Sequence, residues 1–231
     1  MSSPAALSGI LGHQAAGDMM IPDTTQKVAL GTVIDFMDPY YGLQRMVYAK
    51  AAAAQETGSL VYFDNTWTAT DIANTANLGH PIAVAKAAMA SNSYGWYITH
   101  GLAPWSSSAS VAAGAAFGIT AAGQCGTNAA GKQILGARVA VAGTGTFTRT
   151  ITTTNGSTTM KATSTDGFFV GLAISGTGVA ASSTIASLDA DGVTFTTNNA
   201  ATASGTVTGT LTYTGFLLVY SCGAFGQGAI T

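Results

Sequence analysis

The stretch "TFTRTITTTNGSTTMKATS" (146–164) decides the fold class. Threonine alternates with other residues up to the dipeptide Asn155-Gly156, and a second threonine-rich segment follows it. The branched Cβ of threonine suits a pleated strand, and Asn-Gly is a strong short-range signal for a turn between two strands. The stretch therefore predicts two strands about a turn and indicates an all-β fold.

The same composition extends from Thr144 to Thr214, where Thr, Ser, Gly, Ala and Val dominate. Asp191-Gly192 marks a second tight turn, and "GTVTGTLTYTGFLLVY" (205–220) continues the alternation of threonine with apolar residues. We predict a Thr/Gly-rich β-sandwich or half-barrel over residues 143–213. A domain of about 70 residues is close to the size at which a core is marginal alone, so we expect neighbours to support it.

Short β-like segments separated by turns also fill residues 27–142. Strand-sized runs with aromatic, branched or alternating apolar residues occur at 45–50, 59–64, 94–101 and 134–143. The run 51–55 has helix propensity, but it is short and Gly58 follows, so we expect a wide loop or one helical turn. The run 81–90 is equally ambiguous. Several short strands at this spacing indicate a small barrel or sandwich.

The first 26 residues contain no periodic pattern and few side chains that could pack. We predict an extended N-terminal arm over residues 1–26, which in an assembly would lie across a neighbour. No basic start precedes an apolar run in this segment, so we expect no secretory signal.

Charge is scarce in this chain. Only 8% of its residues are charged, against about 25% in an ordinary soluble domain. A lone soluble protein usually carries more charge to resist association, so we expect a component of an assembly. The eight basic residues are scattered from Lys27 to Lys161 without a patch, which argues against nucleic acid as a partner. The most apolar run, 216–220, is strand-sized, whereas a membrane-spanning helix needs about 20 apolar residues, so we expect no membrane partner.

The stretch "GTNAAGKQ" (126–133) is one residue short of a phosphate-binding loop. Gly126, Gly131 and Lys132 match the pattern G-x-x-x-x-G-K-[ST], but Gln133 stands where Ser or Thr would hold magnesium. A working loop also needs a helix that points its N-terminus at the phosphates, whereas "QILGARVAVAG" alternates like a strand. We therefore predict a glycine turn between strands and no nucleotide or other cofactor.

The three histidines, His13, His80 and His100, lie far apart in the sequence. None belongs to a zinc-binding pattern such as H-E-x-x-H. His80 precedes a proline in a turn context, and His100 ends a predicted strand. We expect both side chains to be exposed or hydrogen-bonded rather than to bind metal.

The carboxylates form no recognisable catalytic pair. Asp35 and Asp38 could flank a catalytic water or bind Ca²⁺, but the Asp-Pro dipeptide at position 38 favours the start of a turn. Asp189 and Asp191 resemble the start of a calcium loop whose later oxygen ligands are absent. Glu56 is the only glutamate, and no aspartate pair suits a glycosidase. We expect no catalytic or metal-binding residue and no enzymatic activity.

Aromatic residues cluster in two places. The clusters consist of Tyr94, Trp96, Tyr97 and Trp105, and of Tyr40 and Tyr41. Such residues could stack on sugars in a receptor-binding module. We favour the alternative, in which Trp96 or Tyr97 fills a core and the others line a subunit contact.

Cys125 and Cys222 are the only cysteines. They could form one disulfide, but nothing in their spacing demands it. We favour two part-buried free thiols in a reducing cytoplasm.

Several stretches together resemble the head decoration, or capsid cement, proteins of tailed bacteriophages. They are "QRMVYAKAAAAQETGSLVYFD" (44–64), "LGHPIAVAKAAMASNSYGWYITHG" (78–101), "AGKQILGARVAV" (130–141) and "GFLLVYSCGAFGQGAIT" (215–231). The stretch from "DGFFVGLAISGTG" to "ASGTV" (166–207) is similar to β-sandwich modules that recur in phage virion proteins. The resemblance covers residues 35–231.

The resemblance implies a small β-barrel or β-tulip-like base domain, formed by residues 27–142 and 214–231, with residues 143–213 inserted as a β-sandwich. The change of composition on both sides of 143–213 supports this division. Such proteins sit on the outer capsid surface, often as homotrimers, and clamp neighbouring subunits of the major capsid protein after head expansion. The expected location is the virion, after synthesis in the host bacterial cytoplasm. No catalytic residue is implied.

Two alternatives have different functions. A tail-fibre or head-fibre module would bind host surface glycans through the threonine-rich domain; long repeats or a coiled coil would favour it, and neither occurs. A depolymerase or hydrolase on the same scaffold would need more acidic residues and histidines than this chain contains.

Overall fold

A computed structural model describes residues 21–38, 40–141, 146–189, 191–213 and 215–228. Within these ranges the chain forms strands and no helix, so the all-β prediction is confirmed. The chain divides into two compact units. We call Met1–Gly143 with Gly215–Thr231 the base unit, and Thr144–Thr214 the inserted unit.

Ten strands belong to the base unit. They are β1 (Val33–Asp38), β2 (Gly42–Ala51), β3 (Leu60–Phe63), β4 (Thr68–Asp71), β5 (Ala83–Ala85), β6 (Tyr94–Ser106), β7 (Phe117–Ala121), β8 (Gln124–Thr127), β9 (Ile134–Val141) and, after the inserted unit, β16 (Phe216–Gly226). The four runs predicted as strands lie on β2, β3, β6 and β9. The predicted end of the third run is wrong, because β6 continues past Gly101 to Ser106 and His100 lies inside the strand. Residues 52–55 form a loop, as the glycine at 58 suggested, and the ambiguous run 81–90 contributes only the short strand β5.

Eight of these strands form one sheet in the order β1-β2-β4-β3-β5-β6-β16-β9. β2 also pairs with β6, from Arg45↔His100 to Lys50↔Tyr94. This extra pairing closes β2, β4, β3, β5 and β6 into a ring. Neighbours in the sheet are antiparallel except β2 and β4. β7 and β8 pair separately as a hairpin.

The ring is filled by small side chains. Side chains alternate in direction along β2, so Val47, Ala49 and Ala51 all point into the ring. There they share one buried cluster with Ala69 and Tyr97. A ring of few strands leaves little interior space, which explains the alanines. The Tyr97 hydroxyl donates a hydrogen bond to Gln55 Oε1 at 2.7 Å, and Gln55 Nε2 donates one to the Ala69 carbonyl oxygen at 3.0 Å, so both side chains are paired.

The main core of the base unit lies on the opposite face of the same strands. Met46, Tyr48, Trp96 and Trp105 are at most 2% exposed there. Burying a large apolar side chain of this kind contributes about 1.5–3 kcal/mol. The core therefore supplies much of the driving force for folding of the base unit.

β16 lies between β6 and β9 in the sheet. It pairs with β6 from Phe216↔Ser106 to Cys222↔His100, and with β9 from Leu218↔Val141 to Gly226↔Ile134. Leu217 and Val219 are fully buried in the main core. The end of the chain is thus part of the sheet built by β6 and β9.

Most of the predicted arm, residues 1–20, lies outside the described residues. Within the part that is described, Asp23 forms a two-way backbone bridge with Tyr94, with N···O distances of 2.8 Å in both directions. The Tyr48 hydroxyl also donates a hydrogen bond to Asp23 Oδ2 at 3.0 Å. Residue 23 is therefore fastened to the base unit.

The inserted unit is a closed six-stranded barrel in the order β10-β11-β14-β13-β12-β15. Its strands are β10 (Thr146–Thr153), β11 (Thr159–Ala162), β12 (Ala173–Ser175), β13 (Ser183–Leu188), β14 (Thr194–Thr197) and β15 (Gly205–Thr212). The predicted β-sandwich is not confirmed, because β10 pairs with both β11 and β15 and leaves no open edge. Asn155-Gly156 and Asp191-Gly192 each lie between two paired strands, as predicted.

Packing inside this barrel depends on one glycine. Ile151, Phe195 and Leu211 are at most 1% exposed in its interior. Gly209 faces Arg149 across the β10–β15 pair, and a Cβ at Gly209 would lie 2.9 Å from Ile151 Cδ1. The missing side chain therefore gives Ile151 the room it occupies.

Candidate functional site

The near-match to a phosphate-binding loop lies between two strands. Gly126 belongs to β8, and β9 begins directly after Gln133, where a nucleotide-binding loop would continue as a helix. Lys132 Nζ donates a hydrogen bond to Asn74 Oδ1 at 2.9 Å, which joins the turn to a neighbouring loop. The prediction of a glycine turn between strands is confirmed.

The described histidines occupy separate places, and His13 lies outside the described residues. The His80 ring stacks on Tyr62 with a centroid distance of 4.4 Å. His100 is exposed on β6, where its Nδ1 lies 3.1 Å from Thr99 Oγ1. Neither contact brings a second imidazole or a thiolate into ligand geometry. Among the residues that the structure describes, no group of three His, Cys, Asp or Glu side chains could hold a metal ion.

The aspartates singled out from the sequence support turns or pair with basic residues. Asp191 Oδ1 accepts hydrogen bonds from the backbone N–H of Val193 and Thr194, and the hydrogen bonds to Thr194 lower the pKa of Asp191. Asp35 forms a two-point ion pair with Arg45, at 2.8 and 3.1 Å. The Arg45 hydrogen bond lowers the pKa of Asp35.

The aromatic residues divide into buried and exposed groups. Trp96, Tyr97 and Trp105 are at most 2% exposed, so the prediction that Trp96 or Tyr97 fills a core is confirmed. The expected subunit contact is wrong for Trp105, which lies in the main core. The exposed aromatic side chains of the base unit are Tyr40, Trp67, Tyr220 and Phe225. Sequence clustering missed the last three, because exposure depends on strand pairing and not on spacing along the chain.

The two thiols have different environments, and both are free. Cys125 is fully buried, where its Sγ lies 3.3 Å from the Ser106 carbonyl oxygen, and burial raises its pKa to about 12. Cys222 is exposed on β16. The prediction of free thiols is confirmed, but neither thiol is part-buried: Cys125 lies inside the core, and β16 turns Cys222 away from it.

One broad sheet surface of the base unit, which we call the open face, is not covered by any described part of that unit. Directly opposed residues on neighbouring strands place their side chains on the same side of a sheet, which identifies its members. They are Val33, Asp35 and Met37 of β1, Leu43 and Arg45 of β2, His100 and Leu102 of β6, Tyr220 and Cys222 of β16, and Arg138 of β9.

Large apolar side chains are exposed on the open face. The exposed fractions are 52% for Val33, 43% for Met37, 53% for Leu43 and 47% for Tyr220. Asp35 and Arg45, which carry two of the few charges on the open face, neutralise each other in an ion pair. An exposed apolar patch of this kind is typical of an interaction surface, and Tyr, Met and Arg are enriched where proteins meet.

A polar depression of about 140 Å³ also occurs in the base unit. Ser107, Ser108, Ser110 and Phe216 are among its lining residues. Pockets for small organic ligands usually have volumes of roughly 300–1,000 Å³. This depression is therefore too small for such a ligand.

Beneath the open face lies a buried polar group of three side chains, which we call the Lys86 cluster. Lys86 Nζ donates hydrogen bonds to Asp38 Oδ2 at 2.7 Å and to Gln44 Oε1 at 2.9 Å. Gln44 Nε2 donates to the Leu102 carbonyl oxygen at 2.6 Å. The exposed fractions of Lys86, Asp38 and Gln44 are 5%, 9% and 0%.

Opposing effects set the protonation of Asp38. Burial raises the pKa of Asp38. The Lys86 charge, together with hydrogen bonds from Lys86 and from the Tyr41 and Tyr40 backbone, lowers it by more, so the net pKa lies below the ordinary value. The turn predicted at Asp38 is present, because its Oδ1 accepts the Tyr40 and Tyr41 N–H groups. The ion pair with Lys86 was not predicted.

The sequence contains one signal for the Lys86 cluster. Ile82, Val84 and Lys86 are spaced by two residues, and Ile82 and Val84 both point into the main core. A lysine in the same row of an alternating segment is expected to point inward as well. Its carboxylate partner, 48 residues away, could not be identified without the fold.

The described part of the chain contains no helix of sufficient length and apolarity to cross a membrane. Comparison of the chain with protein-family models, with curated proteins and with solved structures found no match.

Proposed function

We propose that this chain is a structural virion protein that binds the outer surface of a phage capsid and stabilises the lattice of the major capsid protein. In this proposal it acts as a homotrimer and catalyses no reaction of a substrate. The resemblance of its strand segments to decoration proteins suggests the role. The observation that carries it is the open face, which presents exposed apolar side chains and few charges.

Such a surface suits a cement protein for an energetic reason. Each copy adds a modest buried area to weak lattice contacts, and binding to the assembled state alone stabilises that state by mass action. Val33, Met37, Leu43 and Tyr220 would lose their exposed area on binding. The low overall charge favours association over repulsion.

The direct test is cosedimentation of the purified protein with expanded heads that lack it. Wild-type protein is expected to sediment with the heads, whereas Leu43→Asp and Tyr220→Asp should remain in the supernatant, because each places a charge in the apolar surface. Thr206→Asp, at an exposed position of β15, is the matched control and should bind like the wild type. Equal binding by all variants would contradict the assignment of the open face. Failure of the wild type to bind would contradict the proposed function.

Immunogold labelling of intact virions supplies an independent test. Gold spread evenly over the head supports the cement role. Gold confined to the tail tip or to fibres would replace it with a receptor-binding role. Sedimentation velocity of the free protein tests the homotrimer.

A fibre module that binds host glycans remains the second candidate, and one observation favours it. Opposed threonines on β10 and β15 form a ladder, from Thr146↔Thr212 to Thr152↔Thr206. The hydroxyl oxygens of Thr152 and Thr206 lie 3.3 Å apart on an exposed surface, where they could hydrogen-bond sugar hydroxyls. Stacking of sugars on Trp96 or Trp105 is not available, since both rings are buried. Binding to a glycan array that Thr152→Val abolishes would support this candidate.

A further inference from the structure

We propose that the Lys86 cluster is a self-processing site that forms an intramolecular isopeptide bond between Lys86 Nζ and Gln44 Cδ, with Asp38 as the proton-transfer group. The inference rests on the geometry of the base unit and is independent of the proposed function. The bond would link the segment after β5 to β2, two parts of the chain that lie 42 residues apart.

The reacting atoms are held next to each other. Lys86 Nζ lies 2.9 Å from Gln44 Oε1. Gln44 Cδ, the carbon that would be attacked, is bonded directly to this oxygen. Gln44 Nε2 is bonded to the Leu102 carbonyl oxygen, which fixes the plane of the amide. Fixed neighbours of this kind can raise the effective concentration of a nucleophile by many orders of magnitude.

Gly101 makes this position of Gln44 possible. Its φ of +106° and its missing side chain bring the β6 backbone against β2. A Cβ at Gly101 would lie 3.2 Å from Gln44 Cγ and would collide with the Leu43 carbonyl oxygen. The amide is thus held by the backbone of β6 on one side and by Lys86 on the other.

The nucleophilic form of lysine is the neutral amine, so Lys86 must lose a proton before it can attack. All three side chains are buried, and Lys86 Nζ lies 5.7 Å from the Phe36 ring centroid and 5.8 Å from that of Tyr41. Asp38 Oδ2, at 2.7 Å from Nζ, is placed to accept the proton.

The reaction balances without a further reagent. Asp38 takes a proton from the Lys86 ammonium, and the Nζ lone pair attacks Gln44 Cδ to form a tetrahedral adduct. A second proton leaves Nζ and Asp38 supplies a proton to Nε2, whose bond to Cδ then breaks. The second Nζ proton goes with the leaving nitrogen, so the products are the Nζ–Cδ amide and one ammonium ion, and Asp38 ends as a carboxylate. No redox change occurs.

Gln44 fits the role of acyl donor better than Asp38 does. Condensation of Lys86 with Asp38 would expel water, and a second acidic group would have to protonate the leaving oxygen. The only other side chain in the cluster is Gln44, whose amide does not titrate. Asp38 Oδ1 is also held by the N–H groups of Tyr40 and Tyr41. With Gln44 as the donor, the cluster contains a nucleophile, a leaving group and a carboxylate for proton transfer.

Mass spectrometry of the full-length chain decides the matter. We expect the denatured protein to weigh less than its sequence mass by one ammonia. Trypsin should then release residues 28–45 joined to residues 51–132, because a linked Lys86 is not cleaved. An unchanged mass, or separate peptides 28–45, 51–86 and 87–132, would overturn the proposal. Loss of water from the joined peptides would overturn it as well, since the bond would then involve Asp38.

Variants separate the assigned roles. Lys86→Met should have its full sequence mass. Asp38→Asn keeps the shape of the side chain but cannot accept the proton, so the folded variant should also retain its full mass. Complete bond formation in folded Asp38→Asn would overturn the role of Asp38. If this variant fails to fold, the wild-type mass and peptide map still decide whether the bond exists.

Discussion

Replacing Tyr48 with phenylalanine is expected to destabilise the base unit by about 1.5–3 kcal/mol. The Tyr48 hydroxyl donates a hydrogen bond to Asp23 Oδ2 at 3.0 Å and accepts one from the Lys27 N–H at 3.3 Å. Tyr48 is fully buried and Asp23 is 8% exposed, so water cannot readily replace the lost hydroxyl. The change therefore tests how firmly the segment around residue 23 is held to the rest of the base unit.

The magnitude comes from the hydrogen bonds alone. Phenylalanine keeps the ring that packs against Trp96 and Tyr94, with centroid distances of 5.2 and 6.4 Å, and leaves no large cavity. A hydrogen bond to a charged group is worth about 1.5–3 kcal/mol. Asp23 retains Lys27 Nζ at 2.5 Å, which places the expected loss in the lower half of this range.

Urea denaturation followed by tryptophan fluorescence measures this loss in the base unit specifically. All three tryptophans, Trp67, Trp96 and Trp105, lie there. With an m-value of about 2 kcal/mol/M, the midpoint should fall by about 1 M. Tyr220→Phe removes a hydroxyl from an exposed ring and should change stability by less than about 0.5 kcal/mol. An unchanged midpoint at an unchanged m-value for Tyr48→Phe would refute the reasoning.

Three further predictions concern pH, thiol reactivity and the inserted unit. Burial raises the pKa of Tyr48 from 10.0 to about 12, so its contribution to stability is complete below pH 10 and is lost as the pH rises toward 12; urea midpoints measured across this range should fall less steeply for Tyr48→Phe than for the wild type. In the native protein a thiol reagent should modify Cys222 quickly and Cys125 only after denaturation; rapid reaction of both would contradict the burial of Cys125. Leu211→Ala should destabilise the inserted unit by about 2–5 kcal/mol. Hydrogen exchange in peptide 150–161 should then accelerate, whereas similar exchange in both proteins would show that Leu211 is not a core residue.

Local patterns in the sequence predicted the strands well. Threonine alternation and the Asn155-Gly156 turn identified β10 and β11, because the period of side-chain direction and the turn conformation are properties of adjacent residues. The same logic explained residues 126–133, where alternation after Lys132 indicated a strand and excluded a phosphate-binding helix.

Pairing between distant strands could not be predicted from these patterns. A sandwich and a closed barrel use the same short alternating strands, so the closure of β10 on β15 was missed. The exposure of Tyr220 and Cys222 depends on where β16 enters the sheet between β6 and β9. The partner of Lys86 likewise depends on β1 and β5 packing against the same core.

The sequence by itself determined the all-β class, the positions of the main strands and the scarcity of charge, because each follows from composition or from neighbouring residues. The tertiary structure alone decided that β2 closes on β6, that one sheet face carries exposed apolar side chains, and that Lys86, Asp38 and Gln44 meet in the core. These features depend on contacts between segments far apart in the chain. Such contacts form only when burial of the whole core outweighs the entropy of closing the loops between them.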